Sequence, residues 1–176
     1  YVIAQHTSNK SRRRDELIRS IANSSFFGNL PPDLIRDLVT KLHPRFLVEN
    51  EVLFDRGDSS NEFYIVRDGS LKISHADGGN HTAERGDLVG EISFLSHGAH
   101  SAQAVAQHGT VELLVLHKRQ YEELSKDHPE LVSAVKAMAA KRIEENLHQI
   151  DRTYVQKQDW ANIAIEALTT GGAEIP

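Results

Sequence analysis

The sequence contains no cysteine. That excludes a disulfide scaffold, a thiolate metal site and a cysteine nucleophile, and it leaves the compartment open. Proline is scarce, at 5 of 176 residues, and aromatics make up only 6%. No apolar run approaches the roughly 20 residues that a membrane-spanning helix needs, and no signal peptide is visible. Neither sign of charge dominates: 20 Lys and Arg face 25 Asp and Glu, for a formal net charge of -5. A mildly acidic chain attracts nucleic acid poorly, so no nucleic-acid partner is expected. Three catalytic patterns are also missing: Gly-x-Ser-x-Gly, His-Glu-x-x-His and a Walker loop ending in Lys-Ser/Thr. No enzymatic role is expected. The sequence opens at Tyr1 rather than Met, so it is expected to be a piece of a larger parent protein.

What is there has an order. Tyr1 to about Lys10 is polar and reads as a loose lead-in. Arg12, Arg13 and Arg14 read as a solvated helix start rather than a partner-binding patch. Leu17, Ile18, Ile21 and Ala22 then recur at helical spacing. Ser24 to Asp33 is a turn with Phe26 and Phe27, and Pro32 suits the first turn of a second helix. That helix buries Leu34, Ile35, Leu38, Val39 and Leu42, and Pro44 is expected to end it.

The period then changes to two. Strands are expected over Arg45–Val48, Glu51–Phe54, Glu62–Arg67, Ser70–His75, Ser101–Ala106 and Thr110–Leu116. Arg56-Gly57-Asp58, Asp68-Gly69 and Asp77-Gly78-Gly79-Asn80 supply turn chemistry between them. Many short strands at this spacing predict a β-sandwich or β-roll. Helical period returns near Lys118, with a helix start at Asp127, Pro129 and Glu130. Leu131, Val135, Met138, Ile143, Leu147, Ile150 and Tyr154 carry it towards Gln158. Trp160, Ile163, Ile165 and Leu168 form a short apolar patch, and Thr169 to Pro176 reads as a frayed tail.

One segment carries chemistry. Gly86 to Leu95 has the form of a glycine turn feeding a helix start, where free N–H groups and the helix dipole favour an anion. Gly90 allows close backbone approach. A carboxylate at Glu91 would repel a phosphate, yet it suits hydrogen bonds from ribose hydroxyls. Taken alone, Glu91 reads more simply as a solvated acid in a first helical turn.

The surroundings change that weighting. Val89-Gly90-Glu91-Ile92-Ser93-Phe94-Leu95, the loop Ser96 to Ala99, and His100-Ser101-Ala102 resemble the phosphate-binding cassette of cyclic-nucleotide-binding domains. That cassette reads Phe-Gly-Glu-Leu/Ile-Ala-Leu, a short loop, then Arg-Thr/Ala-Ala. Phe54-Asp55-Arg56-Gly57-Asp58 resembles the family's first glycine turn. Phe63 to Val66 followed by Asp68-Gly69 resembles its central hairpin. The likeness runs from about Asp15 to Leu147.

The resemblance implies an α+β fold: an antiparallel, jelly-roll-like β-roll with N-terminal helices and a C-terminal lid helix. The implied division is 1–44, an N-terminal helical bundle; 45–117, the roll, with the cassette at 86–102 and final strands to 116; 118–158, hinge and lid helices; and 159–176, a tail. It implies a ligand-binding set of Gly90, Glu91, Ile92, Ser93, His100, Ser101, Ala102 and Arg142. Glu91 would take the ribose 2′-hydroxyl, and the Ser101 hydroxyl would meet the phosphate. Arg142 is either a base contact on the lid or a surface arginine.

The family's phosphate arginine is replaced by His100. An arginine fork is always charged, whereas histidine, with an ordinary pKa of about 6.5, is mostly neutral at pH 7. Losing a charge-assisted hydrogen bond costs roughly 1.5–3 kcal/mol, about ten- to a hundred-fold in affinity. Three outcomes stay open: a neighbouring anion keeps His100 protonated, the ligand is an uncharged nucleoside, or the pocket is empty or filled by the chain itself. A metal at His97, His100 and His108 is conceivable, but loop histidines are more often solvated and none is expected.

The expected function is a cytosolic regulatory domain that binds cAMP or cGMP, needs no other cofactor, and signals through its last helix. The alternative is a degenerate pocket serving as an interaction or assembly module. The expected partners are a cyclic nucleotide or related purine, the rest of a parent such as a membrane channel or transporter, and a second copy through the C-terminal helix. A transcription factor is excluded for this piece, because no basic recognition helix follows Lys157.

Overall fold

The computed structural model describes residues 2–24 and 27–147. Phe26, the continuation of the last helix to Gln158, the apolar patch at 160–168 and the tail lie outside the described residues.

Helix α1 spans Val2–Ala22. The expected loose lead-in is therefore helical, for a local reason: no Gly or Pro interrupts the sequence before Gly28. Arg12, Arg13 and Arg14 are exposed along the middle of this helix rather than at its start. The Ser24 hydroxyl donates to the Ile21 carbonyl at 2.7 Å and accepts the Phe27 N–H at 3.1 Å, closing the helix end. Helix α2, Pro32–Lys41, has proline in its first turn and Leu34, Ile35, Leu38 and Val39 on its buried stripe. It ends before Pro44, which lies inside strand β1, His43–Leu47. Leu42 is already extended there, so the chain leaves the helix ahead of the proline.

The remaining strands are β2 (Val52–Phe54), β3 (Glu62–His75), β4 (Asn80–Ala83), β5 (Leu88–Val89) and β6 (Ala102–His117). One expected turn, and the break between the two last expected strands, prove to be bulges. Asp68-Gly69 lies inside β3, and His108-Gly109 lies inside β6, the strand antiparallel to it. The register steps from Asp68↔Glu112 to Ser70↔Gln107 across them. Gly69 has φ +84°, and a Cβ there would stand 2.7 Å from the Thr110 carbonyl, so the partner backbone requires glycine. The central hairpin is thus one bent ribbon. The tight turn comes later, at Asp77 to Gly79, where β3 hands over to β4. β4 was not expected: Asn80-His81-Thr82-Ala83 offers little apolar signal.

The sheet order is β1-β6-β3-β4, with β2 against β6 and β5 against β3. Both halves of the bent ribbon feed one interior, which holds Tyr64, Val66, Leu71, Ile73, Leu113 and Val115. The alternate residues Phe63, Ile65, Leu114 and Leu116 face a second core shared with the helices. This explains the unbroken apolar runs at 63–66 and 113–116: those strands are covered on both faces. Helices α3 (Glu91–Leu95), α4 (Lys118–Asp127) and α5 (Pro129–Leu147) complete the described residues. Leu131, Val135, Ala139 and Ile143 form the buried face of α5, at the 3–4 spacing of a helix packed on one side. The architecture is the α+β, antiparallel β-roll with helices at its ends that the sequence implied.

Candidate ligand pocket

Strand β5 pairs Val89 with Tyr64 and Leu88 with Ile65, which fixes the entry to the cassette. Gly90 then turns left-handed at φ +82°. A Cβ on it would lie 3.3 Å from the His100 ring, so glycine here also admits the far side of the loop. Helix α3 follows, and the N–H groups of its first turn have no carbonyl four residues back to bond.

The loop returns under control of the Arg56-Gly57-Asp58 turn. The Gly57 N–H donates to the His100 carbonyl at 2.8 Å, and the His100 N–H donates to the Asp58 carbonyl at 2.9 Å. A single bridge joins Ser59 and Ala99. The first glycine turn therefore clamps the far end of the cassette, and Ala102 starts β6 opposite His75.

These segments enclose a pocket of about 440 Å³ counted out to its open mouth. Gly90, Glu91, Ile92 and Ser93 line one side. His100, Ser101 and Ala102 line another, and Arg142 reaches in from α5. Every residue of the expected binding set is present in one wall or another. Phe54, Ile73, Val89, His75 and His81 complete the walls and were not expected.

Glu91 is 1% exposed, which rules out the solvated-acid reading. Its Oε1 lies 3.0 Å from Arg142 Nη1, an ion pair at the back of the pocket. The two groups are close but poorly aligned, and Oε1 is left without a hydrogen-bond partner. Burial pushes the Glu91 carboxyl up, while the Arg142 charge pulls against it. Arg142 Nη1 also donates to the Leu88 carbonyl. A surface arginine would do neither, so α5 is tied to the cassette by one side chain.

His100 is buried and stacks on Phe54, with ring centroids 3.7 Å apart and planes 7° apart. Loss of water pushes its imidazole pKa down, and the charges of Asp58 and Glu62 only partly oppose this. Of the three open outcomes, a neighbouring anion that keeps His100 protonated is the one this balance favours least, because burial outweighs the anions. His75 and His81 stand on β3 and β4. His75 Nε2 and His81 Nδ1 are 3.1 Å apart, and both imidazoles are held below their ordinary range by burial. His97 is exposed beside Lys118, and His108 occupies the β6 bulge at φ +60°. Among the described residues, no group of three or more His, Cys, Asp or Glu side chains is gathered for a metal ion.

The sequence signal for the cassette was local. That for His75 and His81 was not, because they meet only through the register of a hairpin that one of its strands barely announces.

Among known proteins, residues 44–128 match the family described as cyclic nucleotide-binding domain. The chain is 29% identical over 133 residues to the cyclic AMP receptor protein of Thermus thermophilus, covering 73% of this chain and 61% of that protein. The solved regulatory domain of Toxoplasma gondii PKA with cAMP superposes with a TM-score of 0.67 at 17% identity, over 76% of this chain and 51% of that one. The regulatory subunit of a cAMP-independent protein kinase A from Trypanosoma brucei gives a TM-score of 0.59 at 27% identity, over 64% of this chain and 42% of that one. The chain thus spans about three fifths of the Thermus relative and about half or less of the two solved chains. No described helix is long and apolar enough to cross a membrane.

Proposed function

We propose, from the match of residues 44–128 to the cyclic-nucleotide-binding family, that the pocket takes a cyclic purine nucleotide, cAMP or cGMP, and reports occupancy through α5. The observation that carries this reading is the Glu91–Arg142 pair. A buried carboxylate with an unfilled acceptor oxygen suits a ribose 2′-hydroxyl donor. The same carboxylate is the anchor for α5. A ligand that engages Glu91 competes with Arg142, so binding and the position of α5 become one equilibrium. Gly90, Ile92, Ser93, Ser101 and Ala102 would present backbone and small polar groups to the cyclic phosphate, and Arg142 would move from Glu91 towards the base. The unit acts as the regulatory part of a larger protein, on its cytosolic side, with no chemistry of its own.

The test is calorimetry with cAMP and cGMP on the wild type and on His100→Arg. The wild type is expected to bind weakly. The variant should gain about ten- to a hundred-fold, the value of a restored charge-assisted contact. No uptake by either protein would overturn the reading.

A second reading has its own observation. His100 is packed on Phe54 and its burial favours the neutral imidazole, which suits an uncharged purine nucleoside better than a phosphate. One structural neighbour is described as cAMP-independent. Saturable binding of adenosine or guanosine, with no competition from cyclic nucleotides, would select that reading.

A further inference from the structure

His75 and His81 belong to neither the cassette nor the lid, yet they form a wall of the same pocket. Their rings stack with centroids 5.1 Å apart and planes 24° apart, and one nitrogen of each points at the other across 3.1 Å. At that distance one nitrogen must donate and the other accept, so a single proton lies between them.

We propose that this histidine pair couples ligand binding to the uptake of one proton, and so selects an anionic ligand, the cyclic phosphate, over its uncharged nucleoside. The inference rests on the cyclic-nucleotide reading of the pocket. Its physical content is separate.

The pair can hold one additional proton but not two. One imidazolium can keep donating to its neutral neighbour, whereas two imidazoliums 3.1 Å apart would repel strongly. In the empty pocket even the first extra proton is disfavoured. Both rings are half-buried, and Arg142 on α5 and Arg56 on the first glycine turn bear on His81 and His75 respectively. Arg56 Nη2 donates to the His75 carbonyl at 3.0 Å, which holds that charge close. The opposing anions are Asp77 in the hairpin turn and Asp87 before β5. Glu91, the remaining acid in the pocket wall, is already engaged with Arg142. The other titratable group in the wall, His100, is stacked on Phe54.

A permanently anionic ligand reverses this balance. Its negative charge offsets the two arginines and leaves the pair as the site where a proton can be added. The protonated pair then turns an outward N–H towards the pocket. Linkage requires the reciprocal effect, so affinity rises as pH falls. A nucleoside brings no charge and draws no proton. His100 stands where the resemblance implies a fixed cation, and the pair supplies a conditional one.

The experiment is calorimetry of cAMP, cGMP, adenosine and guanosine at pH 6 and pH 8, each in two buffers of different ionisation heat. For the cyclic nucleotides, affinity should rise about three- to tenfold per unit fall in pH, with uptake approaching one proton. Nucleoside affinity should not change. The His75→Gln/His81→Gln double variant should lose the proton uptake, and with it the pH dependence of cyclic-nucleotide affinity, while His100→Gln should keep both. If the double variant does not fold, His81→Gln alone, together with NMR titration of the His75 ring with and without cyclic nucleotide, answers the same question. An unchanged His75 titration on ligand addition would refute the proposal. Cyclic-nucleotide binding without proton uptake, or uptake lost in His100→Gln and retained in the double variant, overturns the proposal and leaves the function standing. No binding of any of these ligands at either pH overturns both.

Discussion

His100 in the pocket and His128 in the helical layer have almost the same exposure, at 5% and 6%, and their imidazole pKa values are pushed in opposite directions. His100 lies flat on Phe54, and loss of water dominates its titration. His128 is the residue between α4 and α5, and its Nε2 donates to Asp37 on α2 at 2.8 Å. That hydrogen bond leads the upward shift of its pKa, with further pull from the Asp37, Asp33 and Glu130 charges. Nδ1 stands 3.7 Å from Glu130 and 4.0 Å from Asp33. Low exposure alone therefore does not set the direction in which a histidine shifts here: His100 sits deeper among protein atoms and loses more water, while His128 has a carboxylate partner on a ring nitrogen. The pocket favours the neutral form of its imidazoles, whereas the seam favours the charged form of the one whose hydrogen bond ties α2 to the hinge before α5.

The same substitution at both sites should break this symmetry of burial. His128→Phe is expected to lose about 2 kcal/mol at pH 6, because a charge-assisted hydrogen bond is removed and its acids are left unpaired. That is a Tm several degrees lower. The loss should shrink as pH rises. A histidine whose folded pKa is raised gives stability that is fully present below about pH 6.5 and fades as pH climbs through the raised value. Thermal melts at pH 6 and pH 8.5 check both points, and equal losses at the two values would remove the charge from the explanation.

Asp37→Asn is the milder version. Asp37 is 61% exposed, so its share is discounted for solvent, to about 1 kcal/mol at pH 6. The NMR titration of His128 should fall back towards the ordinary histidine range in this variant. A titration that stays raised would assign the shift to Asp33 and Glu130 instead.

How far these two sites could be read in advance differs for the same reason. The cassette is contiguous, so its glycine, acid and small residues were legible in one stretch of Gly86 to Ala102, and the binding set drawn from it converges on one pocket. The helical stripes of α2 and α5 were legible from spacing. What failed was whatever depended on a distant strand. Asp68-Gly69 and His108-Gly109 have the chemistry of turns, and only their mutual pairing makes them bulges. His75 and His81 join the pocket because β4 pairs with β3, and Asn80 to Ala83 carries almost no strand pattern. His128 gave no signal, since Asp37 stands far from it in sequence on another helix. Even the burial of Glu91, the central acid of the site, was set by α5 packing rather than by the residues beside it.

The smallest effect expected is at His100, and its sign is the sharpest test of the contrast. His100→Phe keeps an aromatic ring on Phe54 and removes two ring nitrogens from a buried place, so at pH 7 stability should stay within about 0.5 kcal/mol of the wild type. On acidification the two proteins should part. A histidine whose folded pKa is depressed binds fewer protons folded than unfolded below its ordinary value of about 6.5, so the wild type loses stability as pH falls through that point. The Phe variant has nothing there to titrate. Denaturant melts at pH 7 and pH 5 should therefore show the variant gaining relative to the wild type, where His128→Phe shows its greatest loss. If the variant loses ground at pH 5 instead, His100 takes a proton in the folded state and acts as the pocket's cation.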